Sequence, residues 1–381
     1  MTRSRWIGLI IGGAMLASTS AQAEILALVN YETKAEHSFR KEGIAILDVD
    51  PGSPNFGKIL ADMPLPPDFH NHHIFYNRDS SKAYVTGLGT GRLFVLDLKR
   101  FPYRLRMVAV PDCAVGEDVV VSEDNTRWFL TCMGSSAVIV GDAVADKPIK
   151  TIRTPRPYPH GIAIHGGIDR ILITETVSHE LKNPGETITV IEASTGKVLS
   201  THRVSNKPSP AGEAPVEILF VPGVNPPVAY ITNMFGASLW AAVWNPSRRD
   251  FEVQQAVDLK PFNGGVPLEM YFNEKGDRFY LTTANPGQFH IFDIGGDPKR
   301  PKLLKSIPAA GGAHHVAFTK DWRYAFVQNN LLGLPGMSDA SITVIDLQKE
   351  QAVASIDTFK NQGLNPNLIV LLPEWNAPAG H

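Results

Sequence analysis

A segment of about 50 residues recurs along this chain, and the repeat constrains the fold more than any other feature. Each copy has an apolar strand, a polar turn, a strand of the Tyr-Val-Thr-Asn type, a loop and a third strand. The copies of the second strand lie at 26–30, 83–87, 128–132, 171–175, 229–233, 279–283 and 325–329. The third strands end at Asp48, Asp97, Asp142, Glu192, Asn245, Asp293 and Asp346. No long segment with helical periodicity interrupts them.

Short strands repeated at this period are typical of a β-propeller. Seven units fit the chain. The segment 25–30 is a strand of the second type with no first strand before it, and 367–372 matches the first strands of the other units. We therefore predict an all-β, seven-bladed propeller that is closed by pairing of N- and C-terminal strands in one blade. Closure of this kind removes exposed sheet edges.

With these strand copies, the chain resembles the YVTN-repeat family of seven-bladed β-propellers. The resemblance covers nearly all of 24–381 and implies that this range is a single domain. It implies less about function, because that family includes enzymes as well as binding proteins.

The N-terminus has the pattern of an export signal. Arg3 and Arg5 precede an apolar run over 6–17, and small residues follow up to Ala23. This order predicts a Sec-type signal peptide over 1–23 and a periplasmic or secreted protein. The alternative is a membrane anchor, for which the run is short. No later apolar run is long enough to span a membrane, so no span is expected in the mature protein.

An exported protein folds under oxidising conditions, which bears on its two cysteines. Cys113 and Cys132 are 19 residues apart, at the start and the end of a predicted antiparallel strand pair. A disulfide between them is predicted. The alternatives are free thiols or soft metal ligands.

Composition and missing motifs exclude several function classes. The formal charge is −2, so the chain has no basic excess for a nucleic-acid partner. A G-x-S-x-G turn, a phosphate-binding loop, an H-E-x-x-H helix, an EF-hand loop and a C-x-x-C-H haem motif are all absent from the sequence.

Histidines from three separate repeats occupy one structural position, the start of the first strand. They are His72, His73, His160, His314 and His315. The other repeats offer Glu117 with Asp118, Glu217, Glu269 and Asn367 at this position. First strands line the central channel of a propeller, so these residues are expected to form a ring around its axis.

A ring of imidazoles and carboxylates predicts a transition-metal site. The leading ligand candidates are His73, His160 and His315, followed by His72 and His314. Glu217 and Glu269 are predicted to hold the far nitrogens of these rings or to act as a base. The alternatives are a metal-free site for a polar ligand and histidines with a purely structural role. Six further histidines are expected at the surface, namely His37, His165, His179, His202, His290 and His381.

Two long loops are expected above this ring, on the same face of the propeller. They cover 176–186 and 330–340, and the second contributes Leu331, Leu332, Leu334 and Met337 as walls of a pocket. Met234 and Phe235 are expected on the same side. Long loops of a compact domain often carry function. The alternative is that these loops only pack against each other.

Axial histidines also give the chain a fold-level resemblance to copper propellers of the selenium-binding and methanethiol oxidase type, and to iron-dependent carotenoid oxygenases. This implies a copper-dependent or iron-dependent oxidoreductase that acts on a small molecule at the channel mouth. Copper is favoured over iron by the oxidising compartment and by its affinity for imidazole. One alternative is a non-catalytic binding or scaffold propeller with a periplasmic protein partner. Another is a lactonase-like hydrolase with a hard metal.

Overall fold

The computed structural model describes residues 24–178 and 180–380, and these residues form an all-β propeller. The predicted signal peptide, 1–23, lies outside the described residues. The strands in chain order are β1 (Leu26–Thr33), β2 (Glu42–Asp48), β3 (Ile59–Leu65), β4 (Asn71–Tyr76), β5 (Lys82–Gly87), β6 (Thr90–Asp97), β7 (Arg104–Ala114), β8 (Gly116–Val121), β9 (Arg127–Cys132), β10 (Ala137–Asp142), β11 (Lys147–Arg153), β12 (Pro159–His165), β13 (Arg170–Glu175), β14 (Thr187–Glu192), β15 (Val198–Arg203), β16 (Pro215–Phe220), β17 (Val228–Asn233), β18 (Ser238–Asn245), β19 (Asp250–Asp258), β20 (Pro267–Phe272), β21 (Arg278–Ala284), β22 (Gly287–Asp293), β23 (Lys302–Pro308), β24 (Ala313–Phe318), β25 (Tyr324–Asn329), β26 (Ile342–Asp346), β27 (Gln351–Ile356) and β28 (Leu364–Leu371).

These strands form seven antiparallel sheets of four strands, and each sheet is one blade. Six blades consist of strands consecutive in the chain, such as β8, β9, β10 and β11. The innermost strands β4, β8, β12, β16, β20, β24 and β28 contact one another in this order, and β28 contacts β4. The ring is therefore closed around a central channel.

Closure occurs in the blade that the sequence assigned to both chain ends. Strand β28 pairs with β1, with Leu28 opposite Val370, and β2 and β3 complete the sheet. The structure confirms this closure. The first strand of this blade is longer than predicted, because its pairing with β1 extends to Thr33 opposite Leu364.

Helical structure is confined to short turns. The described residues contain α1 (Thr358–Asn361) and 3₁₀ turns at Met133–Ser135, Gly166–Ile168 and Lys260–Phe262. Across the part of the chain that the structure describes, no helix has the length and apolarity required to cross a membrane.

Neighbouring blades pack through apolar side chains on both faces of their sheets, so strands such as β2 and β13 are buried at every position. Between the second and third blades in chain order, Tyr84, Trp128 and Leu130 belong to one buried cluster. A disulfide joins Cys113 on β7 to Cys132 on β9. Cys113 therefore lies on the outermost strand of the preceding blade, and the bond links two blades.

The fully buried Trp128 makes one glycine indispensable. Gly141 is its partner on β10, and a Cβ atom at this position would lie 1.8 Å from the indole ring. We expect Gly141→Ala to lower the free energy of unfolding by about 3 kcal/mol, because the ring has no space to move. Chemical denaturation measures this loss. Gly296→Ala is the control, since its Cβ would meet nothing within 4 Å; equal stability of the two variants would contradict the prediction.

Candidate metal centre

The inner strands of six blades share a bulge that turns two consecutive residues toward the channel. In β4, Asn71 pairs with Gly87 and Ile74 with Val85, so three steps along β4 oppose two steps along β5. Such a bulge bends the strand and re-aims its side chains. The six pairs at this position are His72 with His73, Glu117 with Asp118, His160 with Gly161, Val216 with Glu217, Leu268 with Glu269, and His314 with His315.

At each bulge, a polar side chain on the adjacent strand accepts a hydrogen bond from a backbone N–H group. In five blades the acceptor is a threonine hydroxyl, from Thr86, Thr131, Thr174, Thr232 or Thr282. In the sixth it is the amide oxygen of Gln328. Two of these hydroxyls also donate to a bulge carbonyl of the next blade, Thr131 to His160 at 2.5 Å and Thr174 to Val216 at 2.6 Å. The repeated threonine therefore stabilises the bulge and ties neighbouring blades together, a role that sequence reasoning did not assign.

Nine side chains from these bulges converge in the channel, and we call them the channel cluster. They are His72, His73, Glu117, Asp118, His160, Glu217, Glu269, His314 and His315. Eight of them are at most 5% exposed, and His160 is half-buried. The cluster contains the five histidines and two glutamates of the sequence-based site. It also contains Glu117 and Asp118, which the sequence analysis placed on the ring without assigning them a role in the site.

The ring of His73 lies at the centre of the five imidazoles. Its centroid is 3.9 Å from that of His72 and 4.6 Å from that of His315. The rings of His160 and His314 are each 6.5 Å away. Histidines that lie far apart in the chain are thus brought within the span of one small site.

Carboxylates from neighbouring blades hold these rings. Oδ1 of Asp118 is 2.8 Å from Nδ1 of His73. Oε2 of Glu117 is 3.1 Å from Nε2 of His72 and 3.6 Å from Nε2 of His160. Each of these acids therefore fixes the orientation of an imidazole from a neighbouring blade.

The two predicted bases occupy equivalent positions. Oε1 of Glu217 is 3.2 Å from Nδ1 of His160. Glu269 faces both histidines of the following blade, with Oε1 3.3 Å from Nε2 of His314 and Oε2 3.7 Å from Nδ1 of His315. At these distances the carboxylates can orient the rings, exchange protons with them or share a metal with them.

The histidines differ in protonation because their surroundings differ. Burial and the neighbouring His72 hold the pKa of His73 well below its usual value. Burial lowers the pKa of His314 to about 4. Burial also acts to lower the pKa of His160, but the carboxylates of Glu117 and Glu217 outweigh it and raise that pKa to about 9. His73 and His314 are thus neutral at pH 7, the form of imidazole that can bind a metal, whereas a metal would have to displace a proton from His160.

The carboxylates are crowded. Burial, together with Glu217 and Glu269, raises the pKa of Asp118 well above its usual value. Burial opposes ionisation of Glu117, but His72 and His160 outweigh it and lower the pKa of that carboxyl. Among the described residues that line the two cavities next to the cluster there is no lysine or arginine. A bound cation would relieve this repulsion between buried acids.

The remaining donor atoms fit a transition-metal ion. Nε2 of His73 has no hydrogen-bond partner among the described residues, while Asp118 holds the other nitrogen. A histidine that binds metal is commonly held in this way. Donor atoms lie within 4.8 Å of one another in three sets, which are His72, His73 and Glu117; Glu269, His314 and His315; and Asp118, His160 and Glu217. Mixed imidazole and carboxylate donors suit copper, iron or zinc.

An apolar pocket of about 120 Å³ lies above the cluster. His72, Glu117, His160 and His314 form its polar floor. Its walls are formed by both long loops, as predicted, and by residues of other blades. The apolar wall residues are Leu88, Met133, Val177, Leu181, Val216, Met234, Phe235, Val266, Leu268, Leu331, Leu332, Leu334 and Met337.

The C-terminal segment 373–380 covers the other side of the cluster. Phe272 donates its backbone N–H to Ala379 at 2.6 Å, and Ala377 donates to Phe318 at 2.9 Å. A small cavity separates the segment from the cluster and is lined by Asp118, Glu269, His315, Ala377, Ala379 and Gly380, among others. The apolar pocket is therefore the more direct route from solvent to the cluster.

The structure corrects one of the histidines expected at the surface. His290 is fully buried, where its ring contacts Ser306 at 2.8 Å and Thr283 at 3.2 Å. These hydroxyls satisfy both ring nitrogens. Strand β22 can therefore bury the polar side chain of His290, which the sequence pattern did not predict. His179 and His381 lie outside the described residues.

A further group of Glu32, Glu42 and His70 lies outside the channel cluster. It already contains a cation, because the guanidinium of Arg40 lies 2.5 Å from Glu32 and 3.1 Å from His70. This group is therefore explained as an ion-pair network.

A buried carboxyl next to the pocket makes stability depend on pH. Glu175 precedes Thr176 in the pocket wall, and burial raises its pKa to about 7 from the ordinary 4.5. The folded chain retains this proton between about pH 4.5 and 7 while the unfolded chain loses it, so stability falls as pH rises through this range.

We expect Glu175→Gln to raise the free energy of unfolding at pH 8 by roughly 3 kcal/mol and to leave it almost unchanged at pH 4. Thermal unfolding across this pH range measures the effect. Glu252→Gln is the control, because that carboxylate is exposed. Parallel pH profiles for the wild type and Glu175→Gln would contradict the prediction.

No protein-family model matches this chain, and no curated protein matches it. Solved structures do match. One is a hypothetical selenium-binding protein from Sulfolobus tokodaii, with 14% identity, coverage of 94% of this chain and 96% of the other, and a TM-score of 0.73. Another is a periplasmic gluconolactonase from Pseudomonas aeruginosa, with 14% identity, coverage of 92% and 99%, and a TM-score of 0.67.

A third similar structure is hydrazine synthase from Kuenenia stuttgartiensis, with 14% identity, coverage of 81% and 92%, and a TM-score of 0.62. At such identities the likeness concerns the fold alone. The comparisons thus establish that this chain shares its propeller fold with proteins of different activities.

Proposed function

We propose that this chain is an exported oxidoreductase whose channel cluster binds a transition-metal ion, copper in preference to iron. A small molecule in the apolar pocket would be its substrate. One observation carries the proposal: Nε2 of the buried His73 is without a hydrogen-bond partner among the described residues, while Asp118 holds Nδ1 and four further imidazoles surround the ring. Burying such a nitrogen without a partner is costly unless the site binds a ligand there.

The residues of the cluster would have different roles. His73, His160 and His315 would hold the ion, with His72 and His314 next to them. When bound, the ion supplies one-electron redox chemistry and polarises the substrate. Asp118 keeps His73 in the tautomer that presents Nε2. Glu217 and Glu269 lie beside His160 and His314, where they can take up or return a proton.

Copper is preferred on two grounds. Imidazole-rich sites bind Cu²⁺ more tightly than Fe²⁺. The disulfide between Cys113 and Cys132 is a bond that persists in oxidising compartments, which supports export and disfavours Fe²⁺.

Elemental analysis of protein purified without a histidine tag tests the proposal. We expect close to one equivalent of copper or iron after reconstitution, and its loss in the triple variant His73→Ala, His160→Ala, His315→Ala. The matched control replaces His37, His165 and His202, which lie outside the cluster. A folded chain that binds no metal would support a binding or scaffold propeller instead. Bound calcium together with hydrolysis of a lactone would support a hydrolase.

A further inference from the structure

The pocket above the channel cluster has a chemical character of its own. Its volume of about 120 Å³ compares with the cavities of about 150 Å³, lined by Leu, Ile and Phe, that accept benzene. The pocket is therefore large enough to bury a molecule with few heavy atoms.

The rim of the pocket is also apolar. Phe235 is 47% exposed and Leu332 is 40% exposed, and both line the opening. The hydroxyl groups of a sugar would find no hydrogen-bond partners on these two side chains. The polar groups that the pocket offers are confined mainly to its floor and to Thr176 and Ser178.

The charge of the floor restricts the ligand further. Glu117 lies in the floor, and Asp118, Glu217 and Glu269 lie within the cluster below it. The described lining includes no lysine or arginine. An anion in this pocket would lose its hydration and lie near these four carboxyl groups, while His160 in the floor is already engaged by Glu117 and Glu217.

We propose that the pocket binds a small, uncharged, apolar molecule of about the size of benzene and excludes anions and sugars. The proposal rests on the proposed function only in treating the ligand as the substrate. Binding to the pocket itself requires no metal, because the walls are formed by the protein alone.

Methionine methyl groups report the position of binding. Met133, Met234 and Met337 line the pocket, whereas Met63 and Met107 lie outside it. We would titrate the metal-free full chain, labelled with ¹³C at the methionine methyls, with toluene, benzoate and glucono-δ-lactone. Toluene is expected to shift the three pocket resonances saturably, with an affinity at least about tenfold higher than that of benzoate or the lactone.

Two leucine variants form a matched pair for this experiment. Leu334→Lys places a charge in the pocket wall and is expected to weaken toluene binding at least about fivefold. Leu304→Lys makes the same change at an exposed site on β23 and is expected to have no effect. If Leu334→Lys does not fold, the titration of the wild-type chain still tests the proposed ligand class.

The outcomes of this titration can be distinguished from those of the metal analysis. Toluene shifts spread over methionines outside the pocket, or benzoate binding as tightly as toluene, would overturn the proposed ligand class. Metal bound in the cluster without toluene binding would also overturn it and would leave the metal site standing. Toluene binding by a chain that takes up no metal would support the pocket and overturn the oxidoreductase.

Discussion

Replacing His73 with alanine is expected to lower the affinity of the chain for Cu²⁺ by at least about 100-fold. His73 is the central imidazole of the cluster, and its Nε2 has no hydrogen-bond partner among the described residues. Asp118→Asn keeps a hydrogen-bonding group beside Nδ1 but removes its charge, and about a 10- to 100-fold loss is expected. Competition with a chelator of known affinity measures both changes.

The chain offers a matched control for this pair. His202 and Asp250 also form a histidine–carboxylate pair, at 2.9 Å, on the outer strands away from the channel. We expect His202→Ala and Asp250→Asn to leave the affinity for Cu²⁺ unchanged. If His73→Ala bound Cu²⁺ as tightly as the wild type, the central role of this imidazole would be refuted.

Truncation after Gly363 is expected to abolish cooperative folding. It removes β28, whose Leu364, Leu368, Ile369 and Leu371 are buried. At about 2 kcal/mol for each side chain, roughly 8 kcal/mol of burial is lost, which is comparable to the whole stability of a typical domain. The ring would also open and expose the edge of β1. Near-ultraviolet circular dichroism and a thermal scan measure the result.

Truncation after Leu372 is the control for this experiment. It retains β28 and removes only residues 373–381, among which Ala377 and Ala379 are small buried residues. We expect this chain to fold, with a lower melting temperature. A cooperative transition in the chain that ends at Gly363 would show that the other six blades are stable without closure.

The cluster illustrates why a propeller suits a buried polar site. Six inner strands each contribute only one or two side chains at a bulge, and the adjacent strand satisfies the backbone there, as Thr131 does for Asp118. Charged side chains can therefore be brought into the channel while the apolar packing between blades remains intact. The cost of burying Asp118, visible in its raised pKa, is the part that a metal ion would offset.

Much of this arrangement could be predicted from the sequence. The repeat and its strand patterns are local properties, because alternation and turn residues act over a few neighbouring positions. They were sufficient for the seven blades, for closure by β1 and β28, and for the register that brings the start of every inner strand to the axis. That register follows from the closed ring, since equivalent positions of every blade must face the same axis. Within the bulges, His160 occupies the position of His72 and His314, one residue before the position of His73 and His315.

Other features depend on contacts between residues distant in the chain, and the tertiary structure alone decided them. The bulge determines that His72 faces the pocket floor while Asp118 reaches His73 from the next blade. The burial of His290 follows from neighbouring strands, not from its own pattern. The position of segment 373–380 across the channel likewise follows from its contacts with distant strands. Such contacts join positions tens to hundreds of residues apart, so they cannot be predicted from local propensity. Only the closed ring brings these positions together.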